Sequence, residues 1–221
     1  MPVLNEADGI TATLLALAPL RAQGVELIVV DGGSRDATLA LCRPLADQVL
    51  CSAAGRALQM NAGAAVARAE LLLFLHADTT LPAGALRSIE QAVSAGARWG
   101  RFDVHISATS PTVRAQLRLV AAFMNRRSRW TGICTGDQAI WVERALFEQL
   151  GGFAAQPLME DIELSRRLRA VSRPAALREQ VLTSGRRWET RGVWRTVWLM
   201  WRLRWRYWRG EAPEAMARAY R

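Results

Sequence analysis

The sequence predicts an α/β domain with a mostly parallel central sheet flanked by helices, and three observations predict it. Strand-like and helix-like segments alternate between residues 25 and 75 at the spacing of βαβ crossovers. The unbroken apolar run Leu71–Leu75 has the length and the lack of alternation of a strand buried on both faces. Two such strands stop at acids, Asp31 and Asp78, and open α/β sheets collect ligands beyond the carboxyl ends of their strands.

At 221 residues the chain suits one such domain with a sizeable core. Its 51% hydrophobic content excludes a disordered chain. The net charge of +9 is unevenly placed: residues 1–185 hold 19 Arg and 17 acids, whereas 186–221 hold 10 Arg and 3 acids. The expected division is therefore a domain over 1–185 and a basic, aromatic helical arm over 186–221. Every cation is Arg and none is Lys. GC-rich codon usage is the simpler explanation of the bias; Arg nevertheless suits bidentate phosphate recognition better than Lys. Cys42, Cys51 and Cys134 are odd in number and lack metal or redox spacing, as expected of free thiols in a reducing cytosol. No run reaches the ~18 uncharged apolar residues of a membrane span, and no signal-peptide pattern is read at the start. The expected location is cytoplasmic.

In chain order, Met1–Glu6 reads as a strand end entering a loop, and a helix follows from about Ala7 to Ala22 with Leu14, Leu15 and Leu17 inward. Gly24 closes it, and Val25–Val30 is a buried strand ending at Asp31. In Asp31-Gly32-Gly33-Ser34-Arg35-Asp36, two glycines permit a tight turn and Ser34 or Asp36 can cap a helix running to about Ala46. Val49–Cys51 is a short strand, Arg56–Arg68 a third helix, and Leu71–Leu75 the strand that Pro82 forbids from continuing. An Asp at that strand's end can hold Mg²⁺ against substrate phosphates, or it can merely cap the next helix. Strand ends in such a sheet share one rim, so Asp31 and Asp78 should face one cleft, as in a nucleotide site.

Further on, Gly84–Ala95 reads as a surface helix and Arg98–Ser107 as an exposed strand of a mixed sheet. Pro111 to about Arg126 is helical, with Arg126-Arg127-Ser128-Arg129 a basic, solvated loop. Gly132–Gln138 precedes a short strand over Ala139–Val142, and its glycines suggest close approach to a ligand; Asp137 and Gln138 are candidate sugar or acceptor contacts. Glu160 and Asp161 open a helix over Met159–Ala170, where acids are common for helix-dipole reasons alone. In the arm, Trp194, Trp198, Trp201, Trp205 and Trp208 recur at intervals of 4, 3, 4 and 3, within an arc of roughly 80° on a helix. Arg195, Arg202, Arg206 and Arg209 follow one residue behind. Such an edge suits an anionic membrane surface, with Trp194 to Arg209 as the contact; packing on the domain explains the Trp stripe as well.

Pro2-Val3-Leu4-Asn5-Glu6, Val29-Val30-Asp31-Gly32-Gly33-Ser34-Arg35-Asp36-Ala37-Thr38, His76-Ala77-Asp78-Thr79 and Glu160-Asp161 resemble the family 2 glycosyltransferases. Gly55-Arg56-Ala57-Leu58-Gln59-Met60-Asn61-Ala62-Gly63-Ala64, Gly136-Asp137-Gln138 and Arg186-Arg187-Trp188-Glu189 resemble one bacterial subgroup, associated with radical-SAM or selenodomain proteins. The resemblance runs from residue 2 to about 192 and implies the GT-A fold and inverting transfer from a nucleotide-diphosphate sugar, with uridine the expected base. It implies that Glu6 and Asp31 contact base and ribose, that Arg56 lies beside base or phosphate, and that Arg187 lies near the diphosphate. Asp78 matches the last acid of the Asp-x-Asp motif that holds Mg²⁺ or Mn²⁺; His76 departs from that motif. Asp161 matches the catalytic base, with Glu160 beside it as a sugar or acceptor contact. The family also begins with several apolar residues before Pro2, so a start upstream of Met1 or a weakened sheet core is expected.

The chemistry agrees with these roles. Departure of a diphosphate needs electrostatic stabilisation, and an acceptor hydroxyl needs a carboxylate to take its proton. A helix N-terminus should lower the pKa of that base, a tension that nearby phosphate charge would offset. The acceptor is not readable, although a lipid-linked one would suit the arm. Two alternatives are a sugar-nucleotide nucleotidyltransferase and a non-enzymatic RNA-binding protein. The first would want a Gly-rich basic loop where Asn5-Glu6-Ala7-Asp8 stands; the second would use the Arg/Trp tail to stack bases. No nucleic-acid partner is expected.

Overall fold

A computed structural model describes residues 1–220, so of the arm expected over 186–221 only Arg221 lies outside the described residues. The first half is the alternation expected: β1 Pro2–Val3, α1 Ala7–Arg21, β2 Ile28–Asp31, α2 Thr38–Cys42, β3 Gln48–Cys51 and α3 Arg56–Val66. β1, β2 and β3 pair in parallel in that order. Helix α1 buries Ile10, Leu14 and Leu17 at i, i+4 and i+7, whereas Leu15, expected inward, is exposed. β1 is short, but Met1 N donates to Ile28 O at 2.8 Å and Val3 is buried. Buried Gln59 adds a cross-tie from α3, its Nε2 donating to Val3 O and Val30 O at 2.8 Å each.

The second half contains β4 Leu71–Leu73, β5 Thr79–Thr80, α4 Ala85–Ser94, β6 Trp99–Ser107, α5 Pro111–Thr131, β7 Trp141–Glu143, α6 Arg144–Gln149, α7 Glu160–Val171 and β8 Ala175–Ser184. Its sheet has the order β4-β7-β6-β8-β5 among the described residues. β6 runs parallel to β8, and the remaining pairs are antiparallel. β4 therefore pairs antiparallel with β7 rather than within a parallel sheet. The parallel part of the fold is β1–β3 together with β6 and β8.

Three further expectations are corrected. The strand over 98–107 is central and buried, not exposed. The basic loop is helical, since α5 runs on to Thr131. Arg126 is exposed, but Arg127 and Arg129 turn inward: Arg129 ion-pairs with Asp103, as does buried Arg101 of β6, whose Nη2 also donates to Asn125 O at 3.2 Å. Strand β8 has no counterpart among the segments that the sequence pattern marks.

The arm is α8 Arg186–Arg191, α9 Val193–Trp208 and α10 Pro213–Tyr220. Helix α9 packs by Val193, Thr196 and Leu203, and its five tryptophans are exposed. The reading in which the Trp stripe packs on the domain is thereby excluded.

Candidate active site

The site is assembled where β1, β2 and β4 end. The loop after β2 is stitched to the loop after β1: Asn5 N donates to Ser34 Oγ at 2.8 Å, Glu6 N to Thr38 Oγ1 at 2.8 Å, and Ala7 N to Asp36 Oδ2 at 3.2 Å. Asp31 is buried below the rim. Its Oδ2 accepts Gly33 N at 3.0 Å and Ser34 N at 2.9 Å, and its Oδ1 accepts the Ser34 hydroxyl. In this structure Asp31 shapes the turn that supports Glu6, instead of facing the cleft as expected.

Glu6 is half-buried, 3.9 Å from the Arg186 guanidinium. Partial burial pushes its carboxyl above the usual range and the charges of Asp78 and Asp36 add to that, while Arg186 and Arg56 oppose it. Asp78 is exposed at the rim, and its backbone oxygen accepts Ser184 N at 3.1 Å. That bond ties the end of β4's loop to the end of β8, from which α8 carries Arg186 and Arg187. Partial burial and the neighbouring cations Arg56 and Arg191 lower the Arg187 pKa, whereas Asp137 and Asp78 raise it. The residues expected to bind nucleotide and diphosphate, Glu6, Arg56, Asp78 and Arg187, thus share one electrostatic neighbourhood; Asp31 lies beneath it.

The other wall is built around His76, which sits where the Asp-x-Asp motif has its first acid. His76 is buried, with Nδ1 3.4 Å from Asp137 Oδ1. Partial burial by itself would raise the Asp137 pKa, but the bond from His76 and the charges of His76, Arg56 and Arg187 bring it below the usual range. Gly136 packs against the His76 ring and donates its N–H to Asp161 Oδ2 at 2.8 Å, while Ile162 N donates to Asp161 Oδ1 at 2.7 Å. Asp161 is therefore clamped from both sides, with one lone pair on each oxygen to spare.

Burial pushes the Asp161 carboxyl up, and the charge of Asp137 adds to it, against those two N–H groups and His76. Burial also raises Glu160, with the Asp161 charge behind it. Desolvation thus outweighs the helix N-terminus that the sequence suggested would lower the base. Glu160 and Asp161 line a cavity of about 10 Å³ together with His76, Gly136 and Phe153, a space for one water at most. A larger hollow of about 610 Å³, lined by Glu70, Glu90, Glu143 and Glu148, contains none of these groups.

Gln138, expected to touch sugar or acceptor, is corrected: it is fully buried, and its Nε2 donates to Ser128 Oγ at 3.0 Å and Phe102 O at 3.4 Å. Arg127 was not singled out by itself from the sequence. Its Nε and Nη2 are buried without hydrogen-bond partners in the structure, and burial lowers its pKa against the opposing charge of Asp161. Backbone strain marks the same region. The non-glycine residues at positive φ among the described residues are Asn5 (53°), Ala139 (48°) and Met159 (65°), which directly flank Glu6, Gln138 and Glu160. Strained residues persist where surrounding structure over-determines them, and they concentrate at functional sites.

The donors at Asp78 fit a hard divalent cation. Among the described residues no three His, Cys, Asp or Glu side chains form a metal centre from protein ligands alone. Mg²⁺ and its relatives, however, take one or two carboxylates and complete their shell with phosphate oxygens and water. An exposed carboxylate beside Arg-lined space offers that arrangement.

Residues 1–151 match the family described as Glycosyl transferase family 2. Among curated proteins, none matches by sequence. One similar solved structure is the mannosyltransferase PcManGT from Pyrobaculum calidifontis in complex with GDP-Man and Mn²⁺: 21% identity, TM-score 0.60, covering 82% of this chain and 54% of that one. Another is S. aureus TarS 1-349: 17% identity, TM-score 0.66, covering 83% and 59%. Glucosyl-3-phosphoglycerate synthase from Mycobacterium tuberculosis in complex with Mn²⁺ and UDP-glucose shows 16% identity and TM-score 0.54, covering 81% and 67%. The chain spans little more than half the length of the first two, and at these identities the likeness establishes the fold. The family match takes in Glu6, Arg56, Asp78 and Asp137 and stops before Asp161 and Arg187. With most of its length matched and its fold shared with GT-A glycosyltransferases, the chain belongs to glycosyl transferase family 2.

Proposed function

We propose that this protein transfers a sugar from a nucleotide-diphosphate donor to an acceptor hydroxyl, with inversion at the anomeric carbon. One observation carries the reading: Asp161, raised by burial, is clamped by Gly136 in the same charged cluster that holds Asp137, Arg56 and Arg187. Glu6 meets the nucleoside, and Arg56, Arg186 and Arg187 meet the diphosphate, whose departing charge bidentate guanidinium contacts stabilise. Asp78 would hold Mg²⁺ or Mn²⁺, which supplies further electrostatic stabilisation of the leaving diphosphate.

The acceptor O–H lies against the spare lone pairs of Asp161. As its oxygen bonds to the anomeric carbon, the carbon–oxygen bond to the diphosphate breaks and the proton passes to Asp161. The raised pKa makes Asp161 a stronger base than an exposed Asp. His76 and Asp137 fix the Gly136 turn, and Glu160 lies beside Asp161 as a buried neighbour.

Uridine is the proposed base; the Mycobacterium tuberculosis neighbour was solved with UDP-glucose and the Pyrobaculum one with GDP-Man. We propose a lipid-linked acceptor and a peripheral position on the inner membrane face; no helix of the described residues is long and apolar enough to cross a membrane. The nucleotidyltransferase alternative is disfavoured by the acidic Asn5–Asp8 turn, which carries Glu6 where a basic phosphate loop would be required. A thermal-shift screen of nucleotide sugars with and without Mn²⁺ tests the proposal. A UDP-sugar should raise Tm only with the metal present; no shift with any nucleotide sugar would refute it.

A further inference from the structure

The surface of α9 and its neighbour α5 has a composition that catalysis does not explain. Along α9, Trp194, Trp198, Trp201, Trp205 and Trp208 are between 56% and 83% exposed. The opposite face holds the helix in place: Val193 joins the main core beside Leu117 and Ala121 of α5, and Leu203 packs with Met159 and Met216. The tryptophans are therefore surplus to folding. Helix α5 carries a second apolar stripe, with Leu119, Phe123 and Trp130 exposed at 49%, 66% and 82%. At 100° per residue these three fall within an arc of about 40°.

A Trp side chain carries roughly 150–250 Å², so five half-open rings exceed the few hundred Å² of apolar patch that a monomer ordinarily shows. Neither helix contains a single Asp or Glu, whereas α5 holds five Arg and α9 holds four. Arg202 of α9 lies over the Trp198 ring, 5.2 Å from its centroid, and Arg209, the residue that ends the helix, lies 4.9 Å from the centroid of Trp205. The Trp ridge runs straight for about 21 Å at 1.5 Å per residue, the shape of a contact with an extended surface and not of a ring inserted into a pocket.

We propose that α9, flanked by α5, docks the protein onto an anionic lipid bilayer. The indole rings enter the interfacial layer, where an apolar body and a polar N–H are both accommodated, and the arginines meet phosphate head groups. The same helix joins the site to that surface. Through Gly192 it continues α8, which carries Arg186 and Arg187, and its Leu203 packs on Met159, the residue before Glu160 and Asp161. Docking would set the catalytic cleft at the lipid surface. The inference stands on exposed residues outside the cleft, so its failure leaves the proposed chemistry untouched.

Flotation of the full chain with vesicles tests it, using phosphatidylcholine alone or with roughly one-third phosphatidylglycerol. The protein should float with the anionic vesicles, remain at the bottom with neutral ones, and be released by high salt. Trp198→Ser/Trp201→Ser/Trp205→Ser should lower the bound fraction on the order of tenfold with Tm unchanged, because these rings are exposed. Arg195→Glu/Arg202→Glu/Arg209→Glu should do the same, and it serves if the first variant misfolds. Equal flotation of the wild type and both variants would overturn the proposal. So would absence of flotation, a dimer in which the same tryptophans are covered without lipid, or Trp-dependent RNA binding by a chain that does not float.

Discussion

Gly136→Ala tests how the site holds its base. A Cβ built on Gly136 lies 2.5 Å from both Cε1 and Nε2 of His76, whereas non-bonded heavy atoms rest at about 3.5–4.0 Å. Either the buried ring or the Gly136 turn must move by ~1 Å. If His76 moves, its 3.4 Å contact with Asp137 is lost; if the turn moves, the 2.8 Å bond from Gly136 to Asp161 is lost. Overpacking a close-fitted interior costs about 1–3 kcal/mol, and a charge-assisted hydrogen bond is worth about 1.5–3 kcal/mol. For a chain of this size each kcal/mol corresponds to about 2–4 °C in Tm, so the combined loss of about 2.5–6 kcal/mol predicts a fall of about 5–24 °C by differential scanning fluorimetry. Turnover should fall with it, since a base displaced by ~1 Å can cost on the order of 100-fold. His76→Ala/Gly136→Ala should recover part of the lost stability, because the ring that clashes is gone. An unchanged Tm in the single variant, or strict additivity in the double, would refute the geometry.

Asp78→Ala should abolish the gain in donor affinity that Mn²⁺ confers, measured by calorimetry, while metal-free affinity changes little. The pH profile of kcat/KM should show an acid limb above the ordinary range of Asp, because Asp161 acts only when ionised and its pKa is raised. Asp137→Asn, by removing a charge that raises it, should move that limb down. For Glu160 the folded-state pKa is raised, so its contribution to stability is present at low pH and is lost as pH rises from the unfolded value through the folded one. Glu160→Gln should therefore gain Tm relative to wild type at pH 8, by about 2–4 °C for each kcal/mol relieved, and show no such gain near pH 4.

Much of this could be read from residue order alone. Strand-end acids, glycine-bounded helices and apolar runs placed the first three strands and helices within a few residues, because those signals are local. Leu71–Leu73 misled on direction, since periodicity reports burial but not the partner, and its partner β7 lies about 70 residues later. β6 looked exposed because Arg101, Asp103 and His105 alternate with its apolar residues; the structure buries the first two as ion pairs that α5 completes. The same pairing hid the continuation of α5 behind an apparent basic loop. β8 escaped notice because Leu177 to Val181 is interrupted by Arg178, Glu179 and Gln180, where a bulge shifts its register on β6. At the site, Asp137 was legible as an acid beside glycines, whereas Asp161 was legible only through the resemblance of Glu160-Asp161 to the family's motif. The inward burial of Asp31 and Gln138 was not, because nothing in the sequence says which polar groups spend their hydrogen bonds on the backbone.

The central claim is that Asp161 takes the acceptor's proton while other residues of the same cleft bind the donor. Separate determination of donor affinity and turnover in Asp161→Asn tests it most directly. The amide must set an N–H against Gly136 or Ile162, so some loss of Tm is expected. Donor affinity should remain within a few-fold of wild type, and transfer should fall by about 10²–10⁴. Turnover near the wild-type rate with a confirmed donor, or donor binding lost in proportion to turnover, would contradict the account.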